Sequence, residues 1–419
     1  MKIPEPNPSI PTMHVLFVHQ NFPAQFGPFA FRLAQTPGFQ CTFVTQKIEG
    51  VYRGVKCIKY ETRGGATETT HFCSRTFENG VWHAAGVFDA LTAAPDIRPD
   101  LIVGHSGFGS TLYLRDLYPG IPIVNLFEYY YWVAGADLDF RKDFPARPID
   151  RLRARTRNAM ILLDLDNCDL GYCPTDWQRS RFPTDYRSKL RTLFDGVDTD
   201  LWKPNPAAPR RVADHDIPAG TKIVTYVSRG MEAMRGFDLF MQIAKRIGEH
   251  RKDVLFVVVG SDRICYGGDS RFTGGKTFKD WVLGRDEYDL SRFAFTGLMT
   301  EPDLAQLLAI TDLHIYLTVP FVLSWSVFNA LSCGAVVLAS DTPPVRDAVT
   351  HEKTGLLVPF FDVDGFVETA ERVLNDPAAF APLGRAGTAM IREKFSLDAS
   401  LPQFLKLCDD ARALPRVHV

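Results

Sequence analysis

Residues 223–236 read I-V-T-Y-V-S-R-G-M-E-A-M-R-G, and this stretch decides the fold of the 419-residue chain. The apolar run 223–227 predicts a buried strand, and the next helix is expected to begin near Phe237. Arg229 and Arg235 therefore flank a strand end and a helix start, where doubly wound sheets collect ligands. Two guanidinium groups beside free helix N–H groups suit a diphosphate. The alternative is a pair of solvated loop arginines.

A second stretch, residues 320–341, reads P-F-V-L-S-W-S-V-F-N-A-L-S-C-G-A-V-V-L-A-S-D. It follows a strand predicted over 313–318, enters a helix near Ser324 and leaves that helix at Gly334, a residue typical of the position after a helix. Serine at a helix start beyond a strand's carboxyl end predicts another anion cradle. Two such cradles in one half of the chain favour a ligand with two phosphates.

Short apolar runs alternate with helical patterns along the whole chain, about six runs in each half. This pattern predicts an α/β protein with two doubly wound, Rossmann-like parallel sheets covered on both faces. The proline-rich stretch 203–219 is typical of a linker. We therefore expect an amino-terminal domain over 1–203, a second domain over 204–395 and a terminal helix over 396–419.

Composition excludes several classes of protein. Apolar residues make up 46% and charged residues 23% of the chain, and the net charge of −2 gives no support for nucleic-acid binding. The eight cysteines form no C-x-x-C pair, which favours reduced thiols and a cytoplasmic location. No apolar stretch is long enough to predict a membrane-spanning helix.

The two phosphate-binding stretches together resemble the donor half of the retaining family-4 glycosyltransferases, which have the GT-B fold of two such domains facing across a cleft. Arg229 matches the family's arginine, Arg235 stands at its lysine, and residues 329–337 match its E-A-M-A-C-G-x-P-V block. The two glutamates of the family's E-x7-E pattern fall on Phe321 and Asn329. Asparagine can still hydrogen-bond a ribose, whereas phenylalanine cannot replace a carboxylate.

The resemblance extends over residues 13–395, less specifically in the amino half. It implies that His105 orients the transferred sugar and that Arg229 with Arg235 stabilises the departing diphosphate. The loop that begins at Gly297 would contact the nucleobase through its backbone. The full set of donor-binding residues that the resemblance implies is Gly27, Arg229, Arg235, Gly297, Leu298, Val322, Leu323, Ser324 and Asn329.

Five aromatic residues surround one glutamate in residues 127–132, F-E-Y-Y-Y-W, directly after a predicted strand. Because the amino half carries acceptor recognition in GT-B enzymes, the resemblance makes Glu128, Tyr129 and Tyr130 candidate acceptor-binding residues; a packed strand edge is the alternative. The arginine-rich stretch 141–157 predicts a solvated helix face. An anionic acceptor or peripheral contact with the inner face of a membrane is the other interpretation.

Five Asp-x-Asp sequences occur, which is too many for any one of them to indicate a metal site. If two arginines neutralise the diphosphate, the chemistry needs no metal, and we expect neither metal nor cofactor.

The chain is accordingly predicted to move a sugar from a nucleotide-diphosphate-sugar donor to a hydroxyl acceptor, with retention at the anomeric carbon. The acceptor would be a glycan, a lipid-linked sugar or a small molecule. Two alternatives stay open: a GT-B enzyme of another type, such as a nucleotide-sugar epimerase, and a non-catalytic nucleotide-binding protein.

Overall fold

The computed structural model describes residues 13–212 and 215–415. Within them the chain divides into two compact units. Unit 1 is built from residues up to Val133, from Arg147–Gly196 and from Leu397 onward, and unit 2 from Ala134–Ala146 and Val197–Ser396. The short segment Ala134–Ala146 thus belongs to unit 2, although it lies within the predicted amino-terminal domain and far from the linker stretch.

Unit 1 contains an eight-stranded sheet in the order β3-β4-β2-β1-β5-β6-β7-β8. Every neighbouring pair is parallel except the hairpin of β3 and β4. The strands are β1 (Met13–Val18), β2 (Phe39–Thr45), β3 (Gly50–Tyr52), β4 (Val55–Lys59), β5 (Leu101–His105), β6 (Ile123–Leu126), β7 (Leu170–Cys173) and β8 (Leu190–Thr192).

Both faces of this sheet are covered by helices. Val15 and Phe17 of β1 join the core on one face, and Leu16 and Val18 join the core on the other. Side chains alternate along a strand, so a continuous apolar run requires two buried faces. Helices α1 and α13 cover the first face and α2, α3 and α5 the second. The helices of unit 1 are α1 (Gly27–Ala34), α2 (Arg75–Thr92), α3 (Leu114–Leu117), α5 (Pro148–Asn167), α6 (Asp176–Ser180) and α13 (Leu397–Ala413).

Unit 2 contains a six-stranded, fully parallel sheet in the order β13-β12-β11-β14-β15-β16, together with the short hairpin β9–β10. Its strands are β9 (Arg211–Val212), β10 (His215–Asp216), β11 (Lys222–Gly230), β12 (Val254–Ser261), β13 (Phe293–Gly297), β14 (Leu313–Tyr316), β15 (Val337–Ser340) and β16 (Leu356–Val358). Its helices are α4 (Asp137–Phe140), α7 (Phe237–His250), α8 (Phe278–Leu283), α9 (Glu301–Ala309), α10 (Trp325–Ser332), α11 (Val363–Asn375) and α12 (Pro377–Met390).

The predicted fold class is confirmed, since two doubly wound parallel sheets are present. The hairpin of β3 and β4 was missed because β3 is exposed at all three residues and β4 alternates buried with less buried residues. Neither strand therefore carries the continuous apolar run that identified the others. Across the described ranges, no helix is both long and apolar enough to cross a membrane.

Each sheet reverses its strand order at one place, and these switch points locate the candidate sites. In unit 1 the chain winds outward from β1 toward β2 and, in the other direction, from β5 toward β6. In unit 2 the same reversal occurs between β11 and β14. Ligands of doubly wound sheets bind beyond the carboxyl ends of the strands at such a point.

Candidate active site

In unit 2 the switch point is occupied by Arg235, which lies in the turn between β11 and α7. Its side chain is 5% exposed, and its guanidinium donates to the Thr318 hydroxyl at 2.7 Å and to the Val322 carbonyl at 3.0 Å. The rings of Tyr266 and Phe321 lie 5.4 and 5.8 Å from the guanidinium carbon. Arg235 is therefore a cation fixed beside the loop that follows β14, as anion binding requires.

The predicted helix start in the second stretch is α10, and Ser324 caps it. The Ser324 hydroxyl accepts from the Ser326 N–H at 3.3 Å, and the Ser324 N–H donates to the Tyr316 hydroxyl at 2.8 Å. Gly334 follows the helix with a φ of 86°, which favours glycine. Both predicted ends of α10 are confirmed, and its amino end lies beside the Val322 carbonyl that Arg235 holds.

Asn329 lies inside α10 and is 6% exposed. Its side-chain oxygen is buried without a hydrogen-bond partner. An unpaired buried amide oxygen is costly, and it is common where a ligand group completes the bonding. Leu323, another predicted donor residue, is 7% exposed and packs into unit 2.

The other predicted donor residues lie on different elements. Arg229 is exposed on β11, and its carbonyl accepts from the Ser261 hydroxyl at 2.6 Å. Gly297 ends β13 with a φ of 68° and open space where a Cβ would stand, and the adjacent Leu298 is 68% exposed. Gly27 begins α1 of unit 1, where a Cβ would approach the Cβ of Pro23 to 2.7 Å. That close approach is a packing reason for glycine at this position.

In unit 1 the switch point is occupied by two histidines in contact. His19 follows β1 and His105 ends β5; they are 4% and 3% exposed, and His19 Nε2 lies 2.9 Å from His105 Nδ1. The backbone N–H of Asn21 donates to His19 Nδ1 at 2.8 Å. The Asn21 carbonyl lies 3.1 Å from the same Nδ1, but the shorter bond requires Nδ1 to accept, and the tautomer of a neutral His19 that satisfies it carries its proton on Nε2 and donates to His105.

This bonding places the proton of a neutral His105 on Nε2, which lies 3.4 Å from Glu128 Oε2. Gln25 donates to Glu128 Oε1 at 2.7 Å. Burial raises the pKa of the Glu128 carboxyl, but His105 and the bond from Gln25 outweigh it and hold the pKa below its ordinary value. The Glu128 side chain is 26% exposed, so it forms the solvent-facing end of a chain that starts at the Asn21 amide.

Tyr129 and Tyr130 are 5% and 9% exposed. The Tyr129 ring packs 6.1 Å from Trp177, and the Tyr130 ring packs 5.7 Å from Phe182. Among the residues after β6, the side chain that faces solvent at the histidine pair is thus Glu128, while these two tyrosines contribute packing.

A buried carboxyl group supports the loop after β5. Asp164 of α5 is 1% exposed, and its Oδ2 accepts from the Ser106 hydroxyl at 2.9 Å and the Gly107 N–H at 2.7 Å. Its other oxygen is buried without a partner. Burial raises the pKa of Asp164 to about 7. The loop directly after His105 is therefore bonded to a carboxyl group whose pKa is about 7.

The prediction that the arginine-rich stretch forms one solvated helix face is wrong for Arg141. Helix α5 begins only at Pro148, and Arg141 precedes it, belongs to unit 2 and is 5% exposed. Arg151 and Arg155 do lie exposed on α5. The error arose because the charge of a stretch does not reveal which single cation is buried against a carboxylate of a distant element, here Asp238.

Several site residues carried weak signals in the sequence. The position of His19 after the first strand already suggested that it could approach the same sheet edge as His105, and β1 is the parallel neighbour of β5. Gln25 lies in the short 3-10 turn Ala24–Phe26 and Tyr266 lies in a loop, and neither belongs to a recognisable sequence motif. Within the described part of the chain, no group of three or more His, Cys, Asp or Glu residues is arranged to hold a metal ion.

Comparison with known families agrees with this arrangement. Residues 37–202 match the profile described as "Glycosyl transferase family 4 group", and residues 209–390 match "Glycosyl transferases group 1". The chain belongs to the family-4 type of glycosyltransferase. One match falls in each half of the chain, and the family resemblance inferred from residues 223–236 and 320–341 is confirmed.

Curated relatives are distant glycosyltransferases. A D-inositol 3-phosphate glycosyltransferase of Corynebacterium jeikeium is 24% identical over 253 residues, covering 59% of this chain and 58% of that protein. A GDP-mannose-dependent alpha-(1-6)-phosphatidylinositol monomannoside mannosyltransferase of Mycobacterium tuberculosis is 25% identical over 265 residues, covering 59% of this chain and 64% of that protein. The chain thus spans about three fifths of the length of these relatives.

Solved structures share the fold over nearly the full length. Sucrose-phosphate synthase from Thermosynechococcus elongatus superposes with a TM-score of 0.71 at 18% identity, covering 95% of this chain and 98% of that one. The Anabaena protein HepE in complex with UDP-glucose superposes with a TM-score of 0.68 at 14% identity, covering 95% and 100%. The fold of this glycosyltransferase is GT-B.

Proposed function

We propose that this glycosyltransferase moves a sugar from a nucleotide-diphosphate-sugar donor to a hydroxyl group of an acceptor, with retention at the anomeric carbon. The observation that carries the proposal is the buried guanidinium of Arg235 at the switch point of unit 2, held by Thr318 and Val322 beside the amino end of α10. Those two bonds use two of the five N–H groups of an arginine. The remaining donors suit the diphosphate.

Breaking the bond between sugar and diphosphate leaves negative charge on the leaving group. Arg235, the exposed Arg229 and the N–H groups that begin α10 would stabilise this charge as it forms. Because these groups already supply positive charge, we expect catalysis without a metal ion. The unpaired oxygen of Asn329 would accept a hydrogen bond from a ribose hydroxyl.

On unit 1 we propose that Glu128 binds the acceptor hydroxyl. Its lowered pKa keeps the Glu128 carboxylate ionised, and its partly exposed side chain can accept a hydrogen bond from a hydroxyl group in solution. Both ring nitrogens of His105 are already engaged, so His105 would orient Glu128 rather than contact the sugar directly. Tyr129 and Tyr130 would shape the acceptor site by packing beneath it.

The nature of the donor is open to a direct test. The HepE structure contains UDP-glucose, and the Mycobacterium tuberculosis relative is named for GDP-mannose. Purified protein would be titrated calorimetrically with UDP-glucose and GDP-mannose, and then incubated with each donor plus cell extract as acceptor source. Transfer of labelled sugar, undiminished by EDTA, supports the proposal. A product whose anomeric NMR coupling shows inversion, or dependence on added magnesium, would contradict those two parts of it.

A non-catalytic nucleotide-binding protein is the second candidate, and a specific observation favours it. Phe321 is 7% exposed and packs 5.5 Å from the Tyr266 ring, so no carboxylate stands at the first position of the E-x7-E pattern. Such a protein would bind a nucleotide and release no sugar. A nucleotide-sugar epimerase would instead convert the donor without any acceptor, which the same incubation without cell extract would reveal.

We further propose that the chain works in the cytoplasm and contacts the inner membrane face peripherally when the acceptor is an anionic lipid. Arg151 and Arg155 are exposed one helical turn apart on α5, and the intervening Leu152 is 61% exposed. Cations beside an exposed leucine suit an anionic bilayer surface. Flotation with phosphatidylglycerol vesicles should carry the wild type upward and the Arg151→Ala/Arg155→Ala variant less. Equal flotation of both proteins would remove this surface from the proposal.

A further inference from the structure

Arg141 lies on the segment Ala134–Ala146, which joins unit 2 although the chain on both sides of it belongs to unit 1. Its guanidinium makes hydrogen bonds to Asp143, Asp238 and the carbonyl of Ala233. Nη1 reaches the Ala233 carbonyl at 3.0 Å and Asp238 Oδ1 at 2.9 Å, and Nη2 reaches Asp238 Oδ2 at 2.6 Å. This arginine is thus fully used in holding protein groups and has no spare donor for a ligand.

The two groups that Arg141 holds in unit 2 are the two ends of the phosphate-binding turn. Ala233 begins the short turn Ala233–Arg235, and Asp238 is the second residue of α7. Between them stand Arg235 and Gly236, whose φ of 61° and close approach to Leu317 fit only glycine well. Arg141 therefore holds a backbone carbonyl before Arg235 and a side-chain carboxylate after it at the same time.

Aromatic rings shield the Arg141 guanidinium from water. The Arg141 guanidinium carbon lies 4.7 Å from the Phe144 ring centroid, 5.6 Å from that of Phe360 and 5.8 Å from that of Phe361. Phe140 stacks on Phe361 at 5.4 Å. Burial lowers the pKa of the guanidinium, but the bonds to Asp238 and Asp143 outweigh it and raise the pKa above its ordinary value. A charged pair shielded from water holds its geometry firmly.

Two buried carboxyl groups also bond to backbone N–H groups at this turn and at the neighbouring loop. Asp269 accepts from the Ala233 N–H at 2.8 Å, and Glu232 Oε2 accepts from the N–H groups of Cys265, Tyr266 and Gly267 at 2.8 to 3.0 Å. Burial, with added repulsion from Glu232 and Asp238, raises the pKa of Asp269 to about 6, and Arg141 opposes this shift. Arg141 thus also supplies positive charge to a buried acidic cluster.

We propose that Arg141 is a positioning residue for the donor: it fixes the turn so that Arg235 meets the diphosphate, and it sets the preference for nucleoside diphosphate over nucleoside. This inference rests on the proposed donor site. It goes beyond that site because Arg141 bonds to Ala233 and Asp238 at the two ends of the turn and does not contact the ligand.

The test measures how tightly the intact protein binds UDP, GDP and the matching nucleosides by titration calorimetry. Arg141→Met should weaken diphosphate binding about tenfold or more and leave nucleoside binding unchanged. Arg141→Lys keeps the positive charge but lacks the planar guanidinium that bonds both oxygens of Asp238. It should therefore weaken diphosphate binding less than Arg141→Met does. The matched control is Arg147→Met, because Arg147 pairs with Asp150 at the exposed start of α5 and should alter neither affinity.

A double variant separates positioning from general destabilisation. If Arg141 acts through Arg235, then Arg141→Met should cost little further diphosphate affinity in a protein that already carries Arg235→Ala. Additive losses, or equal losses for nucleoside and diphosphate, would overturn the inference. If Arg141→Met fails to fold, the same comparison with Arg141→Lys decides the question. Wild-type protein that binds no nucleoside diphosphate would instead refute the proposed function, and this inference with it.

Discussion

The two switch points of this glycosyltransferase are built alike but present opposite charges. In unit 1 two buried histidines lead to the partly exposed carboxylate of Glu128, whereas in unit 2 a buried guanidinium stands beside the amino end of α10. Under each loop lies a buried carboxyl group that accepts a backbone N–H, Asp164 at Gly107 and Asp269 at Ala233. The same architecture thus supports an anionic group on one unit and a cationic group on the other.

The largest expected effect concerns the two supporting carboxyl groups. Asp164 has a folded-state pKa of about 7 and Asp269 one of about 6, both above the ordinary value near 3.8. The folded state therefore keeps a proton on each group at pH values where the unfolded state has released it. The free energy of unfolding falls as the pH rises from 4 to 7 because of Asp164, and as it rises from 4 to 6 because of Asp269. At higher pH, ionisation lowers the free energy of unfolding by about 4 kcal/mol for Asp164 and by about 3 kcal/mol for Asp269.

Removing either charge should remove that loss. The melting temperature of Asp164→Asn relative to wild type should increase as the pH rises from 4.5 to 7 and then level off. Asp269→Asn should follow the same course and level off near pH 6. Parallel melting curves across this range for a variant and wild type would show that its carboxyl group does not titrate there, and the likeness between the two units would break.

The fold was predictable because buried parallel strands appear in the sequence as continuous apolar runs. The candidate residues of unit 2 could be placed at one sheet edge because they follow two strands in short, contiguous stretches. Unit 1 builds its site from the connection after β1, the end of β5 and the loop after β6, and the bond from Gln25 to Glu128 joins residues 103 positions apart with no motif to link them. Arg141 could not be told from the surface arginines near it, since one of its two carboxylate partners, Asp238, lies 97 residues further along the chain.

The next prediction tests the cationic side of the comparison. Arg235→Ala should weaken nucleoside-diphosphate binding by about tenfold to a hundredfold, the value of one charge-assisted bond of 1.5–3 kcal/mol. The acceptor KM should not change, because Glu128 lies in unit 1. Calorimetry measures the first quantity and steady-state kinetics with varied acceptor the second. Unaltered diphosphate affinity would remove Arg235 from the site.

A smaller effect is expected on the anionic side. Glu128→Gln keeps the shape of the side chain but replaces the charge that accepts from His105 and Gln25. Turnover should fall or the acceptor KM rise by about tenfold, the worth of a hydrogen bond to a charged group, with donor affinity unchanged. Kinetics with donor and acceptor varied separately provide the measurement. A defect confined to donor binding would place Glu128 at the donor site and reverse its assignment.

The smallest effect should come from Asn329, which stands at the second glutamate position of the E-x7-E pattern. Its side-chain oxygen is buried and unpaired, so a ribose hydroxyl could satisfy it at a net gain of about 1 kcal/mol, or roughly fivefold in affinity. Asn329→Ala removes both the unpaired oxygen and the bond to the ligand, and should therefore bind nucleotide diphosphate slightly more weakly. Asn329→Glu restores a stronger acceptor and should bind it more tightly, since a charged acceptor makes the stronger bond.

The 2′-deoxy and 3′-deoxy forms of the nucleotide are the matched control, because a ligand without the contacted hydroxyl should bind all three proteins alike. If the three proteins bind the complete nucleotide equally, Asn329 belongs to the packing of α10 and not to the donor site.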